Sequence, residues 1–174
     1  MMISYLNCTN WMSMRRVFLG GVGIFILDQG TKYVMLSFLQ QGFFQNPILS
    51  FFNLVERWNR GISFGLLGNQ AFPPWSLSLV SAGVCCGLVI WSFKEHDFLN
   101  RLATALILGG ALSNAYDRLT YGAVFDFLEF HLGSYYWPAF NGADSAIVLG
   151  VSLLFLKGLI KTKEESNPRS GKEE

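Results

Sequence analysis

The feature that most constrains this sequence is a set of apolar stretches long enough to cross a lipid bilayer. A helix needs about 20 mostly apolar residues to do so. Four such stretches are present, at residues 17–39, 75–93, 102–118 and 136–156. The sequence therefore predicts an all-α membrane protein with four transmembrane helices.

The composition agrees with a lipid environment. Hydrophobic residues make up 51% of the chain and charged residues only 14%, whereas soluble domains carry about 25% charged residues. The basic residues form no patch interleaved with aromatic side chains, so no nucleic-acid partner is predicted. The three cysteines lack histidine or acidic neighbours in a ligand-like spacing, so we expect no disulfide framework, zinc site or other cofactor.

The first apolar stretch has one competing interpretation, a cleavable signal peptide. Arg15 and Arg16 precede an apolar run at residues 17–27, which is the length of a signal-peptide core. The apolar pattern resumes after Lys32, however, and no small-x-small cleavage site ends the run. We therefore interpret residues 17–39 as the first membrane span.

The distribution of Lys and Arg predicts how the chain lies in the membrane, because cytoplasmic loops carry the excess of positive charge. With four spans both termini share one side, and nine of the basic residues fall on that side against four on the other. The nine are Arg15, Arg16, Lys94, Arg101, Lys157, Lys161, Lys163, Arg169 and Lys172. Both termini are thus predicted to be cytoplasmic. Residues 1–163 form one membrane domain in this interpretation, and the charged residues 164–174 form a disordered tail.

The outward segment at residues 43–67 is too polar to span the membrane. Within it, residues 48–55 are rich in aromatic and strand-forming side chains. This pattern predicts a small extracytoplasmic β-sheet that lies on the membrane.

Ionisable side chains near the membrane need a reason to be there, because each costs about 2.5–3.5 kcal/mol at the bilayer centre. Asp28 and Lys32 are four residues apart and can pair on one helix face, either as a structural ion pair or as the border of a polar pocket. Asp144 follows Asn141 by three residues, which places both on one face of a helix. Alternatively, Asp144 is the N-cap of a helix that starts after Gly142.

Eight polar residues of the spans and of the outward segments converge near the predicted outer surface. They are Asp28, Asn59, Asn114, Asp117, Arg118, Asp126, Asn141 and Asp144. His96 falls in the inner loop and His131 stands alone outside, so a Ser-His or Cys-His mechanism has little support. Two neighbouring carboxylates, in contrast, can hold one proton between them and act as acid and base.

Two other functions use intramembrane acids. A proton-coupled transporter or small channel needs acids along a path across the bilayer, whereas here they cluster on one side and the second span has none. A metal-dependent phosphotransferase could hold Mg²⁺ with Asp28, Asp126 and Asp144. The residues alone leave both open.

Five ordered blocks make the chain resemble the lipoprotein signal peptidase family, also called signal peptidase II, from about residue 28 to residue 150. The blocks read DQGTK at 28–32, NRGISF at 59–64, GGALSNAYDR at 109–118, VFDF at 124–127 and FNGAD at 140–144. Two positions depart from the family pattern, since Ser113 stands where glycine is usual and Ser63 where alanine is common. Both residues are small, so we expect close packing to survive.

The resemblance implies an aspartic endopeptidase of the bacterial inner membrane. Such an enzyme removes the signal peptide from prolipoproteins that carry diacylglycerol on the cysteine that becomes the new N-terminus. The family's catalytic pair maps to Asp126 and Asp144. Its supporting residues map to Asp28, Lys32, Asn59, Gly61, Asn114, Arg118 and Asn141. We expect a monomer in the lipid bilayer that needs no metal, and the sequence leaves open which aspartate carries the proton.

Overall fold

The structure, a computed structural model, describes residues 8–43, 47–61, 74–93 and 97–166, with side chains for residues 14–43, 47–61, 75–93 and 97–160. These described residues form four helices and a small sheet. The helices are α1 (Cys8–Gln40), α2 (Pro74–Ser92), α3 (Phe98–Tyr121) and α4 (Gly142–Ser166), and the strands are β1 (Phe52–Asn59), β2 (Val124–Leu132) and β3 (Tyr135–Tyr136). The predicted fold class, four helices with a small sheet, is confirmed.

Within these described ranges, three helices are long and apolar enough to cross a membrane. The apolar ranges are Met14–Gln40 in α1, Trp75–Ser92 in α2 and Gly142–Ile160 in α4. Helix α3 differs from the other three because it packs against all of them. Its polar side chains, Asn114 and Asp117 among them, are therefore buried against protein rather than exposed to lipid. Lower hydropathy in α3 thus reflects its central place in the bundle.

Two neighbouring glycines let α3 approach α1 and α4 closely. A Cβ atom at Gly109 would lie 2.5 Å from the carbonyl oxygen of Gly21 on α1, and one at Gly110 would lie 2.5 Å from that of Ala143 on α4. Real Cβ atoms do not come so near to other heavy atoms, so only glycine fits at either position. This close contact brings the polar residues of the next α3 turn within reach of both neighbours.

The two ends of α3 are each defined by a cap. Asp97 accepts hydrogen bonds from the backbone N–H groups of Leu99 (2.9 Å) and Asn100 (3.2 Å). At the other end, Gly122 adopts φ 73°, a left-handed conformation that favours glycine. The chain then turns directly into β2, so α3 delivers its last polar residues beside the start of that strand.

The sheet has the order β1-β2-β3 and is antiparallel throughout. Asp126 on β2 lies opposite Arg57 on β1, and an irregularity between Leu54 and Arg57 bends β1 at this point. Strand β1 therefore extends beyond the predicted strand at residues 48–55 into the polar residues that follow.

The fourth helix starts later than expected. The sequence predicted a span from residue 136, but Tyr136 lies in β3 and α4 begins at Gly142. The aromatic residues before Gly142 belong to the sheet, because the backbone of Phe140 exchanges hydrogen bonds with that of Leu128 at 3.0 and 2.9 Å. At the other end α4 continues to Ser166, into the tail predicted to be disordered. Residues 167–174 of that tail lie outside the described residues, as do residues 44–46 and 62–67 of the predicted outward segment.

Candidate active site

A buried ion cluster joins α1 to α3. The ammonium group of Lys32 lies 2.8 Å from Asp28 Oδ2 and 2.7 Å from Asp117 Oδ2, and it donates a third hydrogen bond to Asn114 Oδ1 at 3.1 Å. Side chains in both ion pairs are at most 5% exposed. All three ammonium hydrogens therefore have partners, and the predicted pair of Asp28 and Lys32 is part of a larger cluster.

The first turn of α4 is held by reciprocal hydrogen bonds. Asn141 Oδ1 accepts from the N–H of Asp144 at 2.9 Å, and Asp144 Oδ2 accepts from the N–H of Asn141 at 3.2 Å. This arrangement is a capping box, in which Asn141 is the N-cap. The alternative interpretation of Asp144 as the N-cap is therefore wrong. Asp28 completes the turn, since its Oδ1 accepts from the N–H of Ala143 at 2.7 Å.

Asp126 enters the site from β2 and is held by two amide groups. Asn141 Nδ2 donates to its Oδ1 at 2.7 Å and Asn59 Nδ2 to its Oδ2 at 3.0 Å. The residue is only 2% exposed. Burial and, after it, the nearby charge of Asp144 together raise the pKa of Asp126 to about 6, although the amide hydrogen bonds of Asn59 and Asn141 act to lower it.

Two asparagines link the carboxyl groups of Asp126 and Asp144. Asn114 Nδ2 donates to Asp144 Oδ1 at 2.8 Å, and Asn141 Nδ2 lies 3.2 Å from Asn114 Oδ1. Asn141 therefore contacts both aspartates, one through its side chain and the other through the capping box. Asp126 is buried, whereas Asp144 is half-buried. The two carboxyl groups are thus near enough for the charge of Asp144 to act on Asp126.

Gly61 and Arg118 border this pair. The N–H of Gly61 donates to Asn59 Oδ1 at 2.8 Å, which leaves the amide nitrogen of Asn59 pointing to Asp126. Gly61 has φ 104°, and a Cβ there would collide with Leu77 on α2. Arg118 is half-buried and donates to the backbone oxygen of Asn114 at 3.4 Å. Its guanidinium group also interacts electrostatically with Asp117, Asp126 and Asp144.

The structure brings all nine predicted site residues into one connected network. The members are Asp28, Lys32, Asn59, Gly61, Asn114, Arg118, Asp126, Asn141 and Asp144. Three more residues belong to the network, and the sequence assigned no role to them. They are Gln29, Ser113 and Asp117, which are joined to Asp28 and Lys32 by hydrogen bonds. Their helical spacing was a usable signal, because Ser113 and Asp117 are four residues apart and share a face of α3.

The contacts of Asp28 bear on the phosphotransferase alternative. Its Oδ1 accepts from the helix α4 backbone, and its Oδ2 accepts from Lys32 and from Ser113 Oγ. A metal ion at Asp28 would have to displace the ammonium group of Lys32. In the part of the chain that the structure describes, no group of three or more His, Cys, Asp or Glu side chains is placed to hold a metal ion.

Comparisons with known proteins agree with each other. The family model described as Signal peptidase (SPase) II matches residues 21–160. The chain is 44% identical over 149 residues to the lipoprotein signal peptidase of Ralstonia nicotianae, covering 82% of this chain and 84% of that protein. It is 37% identical over 146 residues to that of Vibrio vulnificus, covering 82% and 87%.

Two solved structures share the fold. Both are described as bacterial membrane enzymes determined by the in meso method. The one at 2.3 Å resolution has a TM-score of 0.70 and 27% sequence identity, with 91% of this chain and 94% of that chain covered. The one at 1.9 Å resolution has a TM-score of 0.69 and 28% identity, with 83% and 92% covered.

Proposed function

The chain belongs to the signal peptidase II family, and from this premise and the geometry of the site we propose that it is a membrane-embedded aspartic endopeptidase. Its substrates are diacylglyceryl-modified prolipoproteins, from which it removes the signal peptide. The observation that carries the aspartic mechanism is the contact of Asn141 with both Asp126 and Asp144. Asp126 lies on β2 and Asp144 on α4, so one asparagine joins carboxyl groups from two different elements.

The proposed reaction uses the two carboxyl groups as base and acid. One is ionised and takes a proton from a water molecule, which attacks the scissile carbonyl carbon. The other is protonated and donates a hydrogen bond to the carbonyl oxygen. Because burial raises the pKa of Asp126 to about 6, this site can keep a proton at a pH where a solvated aspartate is fully ionised. The proton belongs to the pair rather than to one residue.

The rest of the network serves to hold the pair. Lys32 offsets part of the negative charge of Asp28 and Asp117 and donates to Asn114, whose amide group in turn holds Asp144. This arrangement supports a preorganised site, in which dipoles are fixed before the substrate arrives. We assign the supporting residues to positioning and the two aspartates to the chemistry.

The position of the site in the bundle fits a lipid-modified substrate. Asp28 is thirteen residues from Arg15 along α1, which is about 20 Å at 1.5 Å per residue. We propose that Arg15 marks the cytoplasmic end, that both termini lie on that side, and that the site opens at the outer surface of the bacterial inner membrane. There the lipid chains of a substrate remain in the bilayer while its scissile bond meets water.

Aromatic side chains lie next to the pair at this level. Trp58 packs against Phe125 and Tyr121 with ring centroids 5.3 and 5.6 Å apart. Tryptophan favours the membrane–water interface, so Trp58 serves both to anchor the sheet and to border the substrate's entry. We further propose that residues 1–163 act as one membrane domain and that the enzyme is a monomer.

The decisive experiment replaces each aspartate by its amide. We expect Asp126→Asn and Asp144→Asn to lower prolipoprotein processing at least about 100-fold, because each removes one partner of acid–base catalysis. Processing is followed as a size shift on gels, in bacteria depleted of their own enzyme. Full processing by either variant would overturn the assignment of the pair.

The matched control is Glu129→Gln on the same strand as Asp126. Glu129 is 7% exposed and contacts Asn53 and Arg57 rather than the aspartate pair. This variant loses a buried carboxyl group, as the Asp126 variant does, and should still process its substrate. A comparable loss in the control would assign the effect to folding.

A further inference from the structure

Two side chains outside the predicted site complete the hydrogen bonding around Asp28. Ser113 on α3 is fully buried at 0% exposure, and its hydroxyl group donates to Asp28 Oδ2 at 2.6 Å. The same hydroxyl oxygen accepts from Gln29 Nε2 at 2.8 Å. Gln29 Nε2 also donates to Asp117 Oδ1 at 2.7 Å. The chain of donors therefore runs in one direction, from Gln29 through Ser113 to Asp28.

Asp28 in turn is hydrogen-bonded to the first turn of α4, so the orientation of its carboxylate affects that turn. Its Oδ1 accepts from the N–H of Ala143 at 2.7 Å, directly before Asp144 in the sequence. The contact leaves little free space, since a Cβ atom at Gly142 would lie 2.9 Å from the same oxygen. Any rotation of the Asp28 carboxylate would therefore move or release the turn that carries Asp144.

The contact with Lys32 does less to fix that rotation. Its ammonium group lies near Asp28 Oδ2, but it acts as a compact charge that attracts either carboxylate oxygen, and it is shared with Asp117 and Asn114. Ser113 has a short side chain on the central helix, and its hydroxyl group is held on its other side by the hydrogen bond from Gln29 Nε2. Its hydroxyl group is thus the contact that determines which way the two oxygens face.

We infer that Ser113 and Gln29 are positioning residues, which fix the orientation of Asp28 and through it the first turn of α4 that presents Asp144. The inference rests on the proposed function, because Asp144 matters there as one of the two reacting carboxyl groups. The hydrogen bonds of these two described residues go to Asp28, Asp117 and each other rather than to Asp126 or Asp144. Their effect reaches the reaction through the geometry of the α4 turn.

The test removes the Ser113 hydroxyl group alone. We expect Ser113→Ala to lower kcat about tenfold and to leave KM within about twofold, because a misplaced reacting group slows chemistry without weakening substrate binding. The assay follows cleavage of a diacylglyceryl-modified prolipoprotein by the purified full-length enzyme in lipid nanodiscs. Gln29→Met, which removes the donor to Ser113 and Asp117, should lower kcat in the same way.

Thr104→Val is the matched control on the same helix. Thr104 is equally buried and lies more than two helical turns from Ser113. Its hydroxyl group donates to the backbone oxygen of Asn100 on the same helix, at 2.8 Å. This variant also loses one buried hydroxyl group and should keep its kcat. An unchanged kcat in Ser113→Ala, or an equal loss in Thr104→Val, would overturn the inference.

A second measurement is independent of catalysis. Backbone hydrogen exchange in the peptide that contains residues 141–145 should become severalfold faster in Ser113→Ala than in the wild type or in Thr104→Val, because the N–H of Ala143 loses a fixed acceptor. If the wild-type enzyme failed to cleave the substrate, the proposed function would fail while this exchange result would still decide the role of Ser113. Equal exchange in all three proteins would refute the positioning role.

Discussion

Two lysines, one near each end of α3, contact aspartates at nearly the same distance and in very different surroundings. Lys32 lies 2.8 and 2.7 Å from Asp28 and Asp117, and these side chains are at most 5% exposed. Lys157 on α4 lies 2.6 Å from Asp97, the N-cap of α3, with side chains 32% and 43% exposed. Distance alone would rank the second contact above the first.

Burial reverses that ranking. A buried charge has lost its water and depends on every partner it has, so removal of one partner is severe. An exposed pair keeps water and counter-ions as substitutes, and long side chains lose entropy when they are held in one geometry. Burial therefore explains why the Lys32 cluster, rather than the Lys157 pair, can support the proposed active site: the buried charges are held in one arrangement.

The two lysines should differ most when each is replaced by methionine. Lys32→Met leaves two buried carboxylates without their cation, and we expect it to lower the free energy of unfolding by about 3–5 kcal/mol and to abolish processing. Thermal unfolding of the purified protein in detergent, together with the gel assay, measures both effects. Lys157→Met serves as the control for loss of one lysine, and equal destabilisation by the two variants would contradict the role of burial.

Much of the fold followed from the sequence because lipid imposes a simple rule. Apolar stretches of sufficient length must be helices, and the four predicted spans each overlap one helix of the structure. The start of α4 was missed because the residues from Tyr136 to Phe140 are as apolar as a span. Their backbone groups pair with β2, and no local pattern reveals a partner that lies elsewhere in the chain.

Much of the site could also be predicted, for a different reason. Ionisable and amide side chains are unfavourable in lipid, so their presence near the membrane indicated a polar site. The family resemblance then separated Asp126 and Asp144 from Asp117. Neither source indicated that Asn141 is the N-cap that joins both aspartates, because this depends on where α4 begins. The contacts of Gln29 and Ser113 were hidden for the same reason, since they arise only from the close approach of α1 to α3.

A smaller effect is expected when the charge of one aspartate of the pair is removed. In Asp144→Asn the pKa of Asp126 should fall below about 6 and stay above its ordinary value, because burial, its main cause, remains while the repulsion from Asp144 is lost. Infrared difference spectroscopy of the protonated carboxyl band across a pH titration measures this shift, with Asp126→Asn to assign the band. A pKa that does not move would show that the two carboxyl groups do not interact.

The same shift has a consequence for stability. A carboxyl group whose pKa is raised in the folded protein supports folding at low pH, and this contribution is lost as the pH rises through about 6. The decline in the melting temperature of the wild type between mildly acidic and neutral pH should therefore be shallower in Asp144→Asn. A steeper decline in that variant would contradict the sign of the interaction.

The smallest effect is expected at the exposed pair, and its pH dependence runs the other way. The hydrogen bond from Lys157, followed by that from the N–H of Asn100, lowers the pKa of Asp97. The stabilisation is therefore present above the ordinary pKa of an aspartate and is lost as the pH falls through the lowered value. Lys157→Met should lower the melting temperature slightly at neutral pH and not at all in strong acid. High salt should abolish the difference in melting temperature between Lys157→Met and the wild type at neutral pH, because exposed charges are screened. The destabilisation in Lys32→Met should persist in salt. If the effect of Lys157→Met also persisted, exposure would not separate the two contacts.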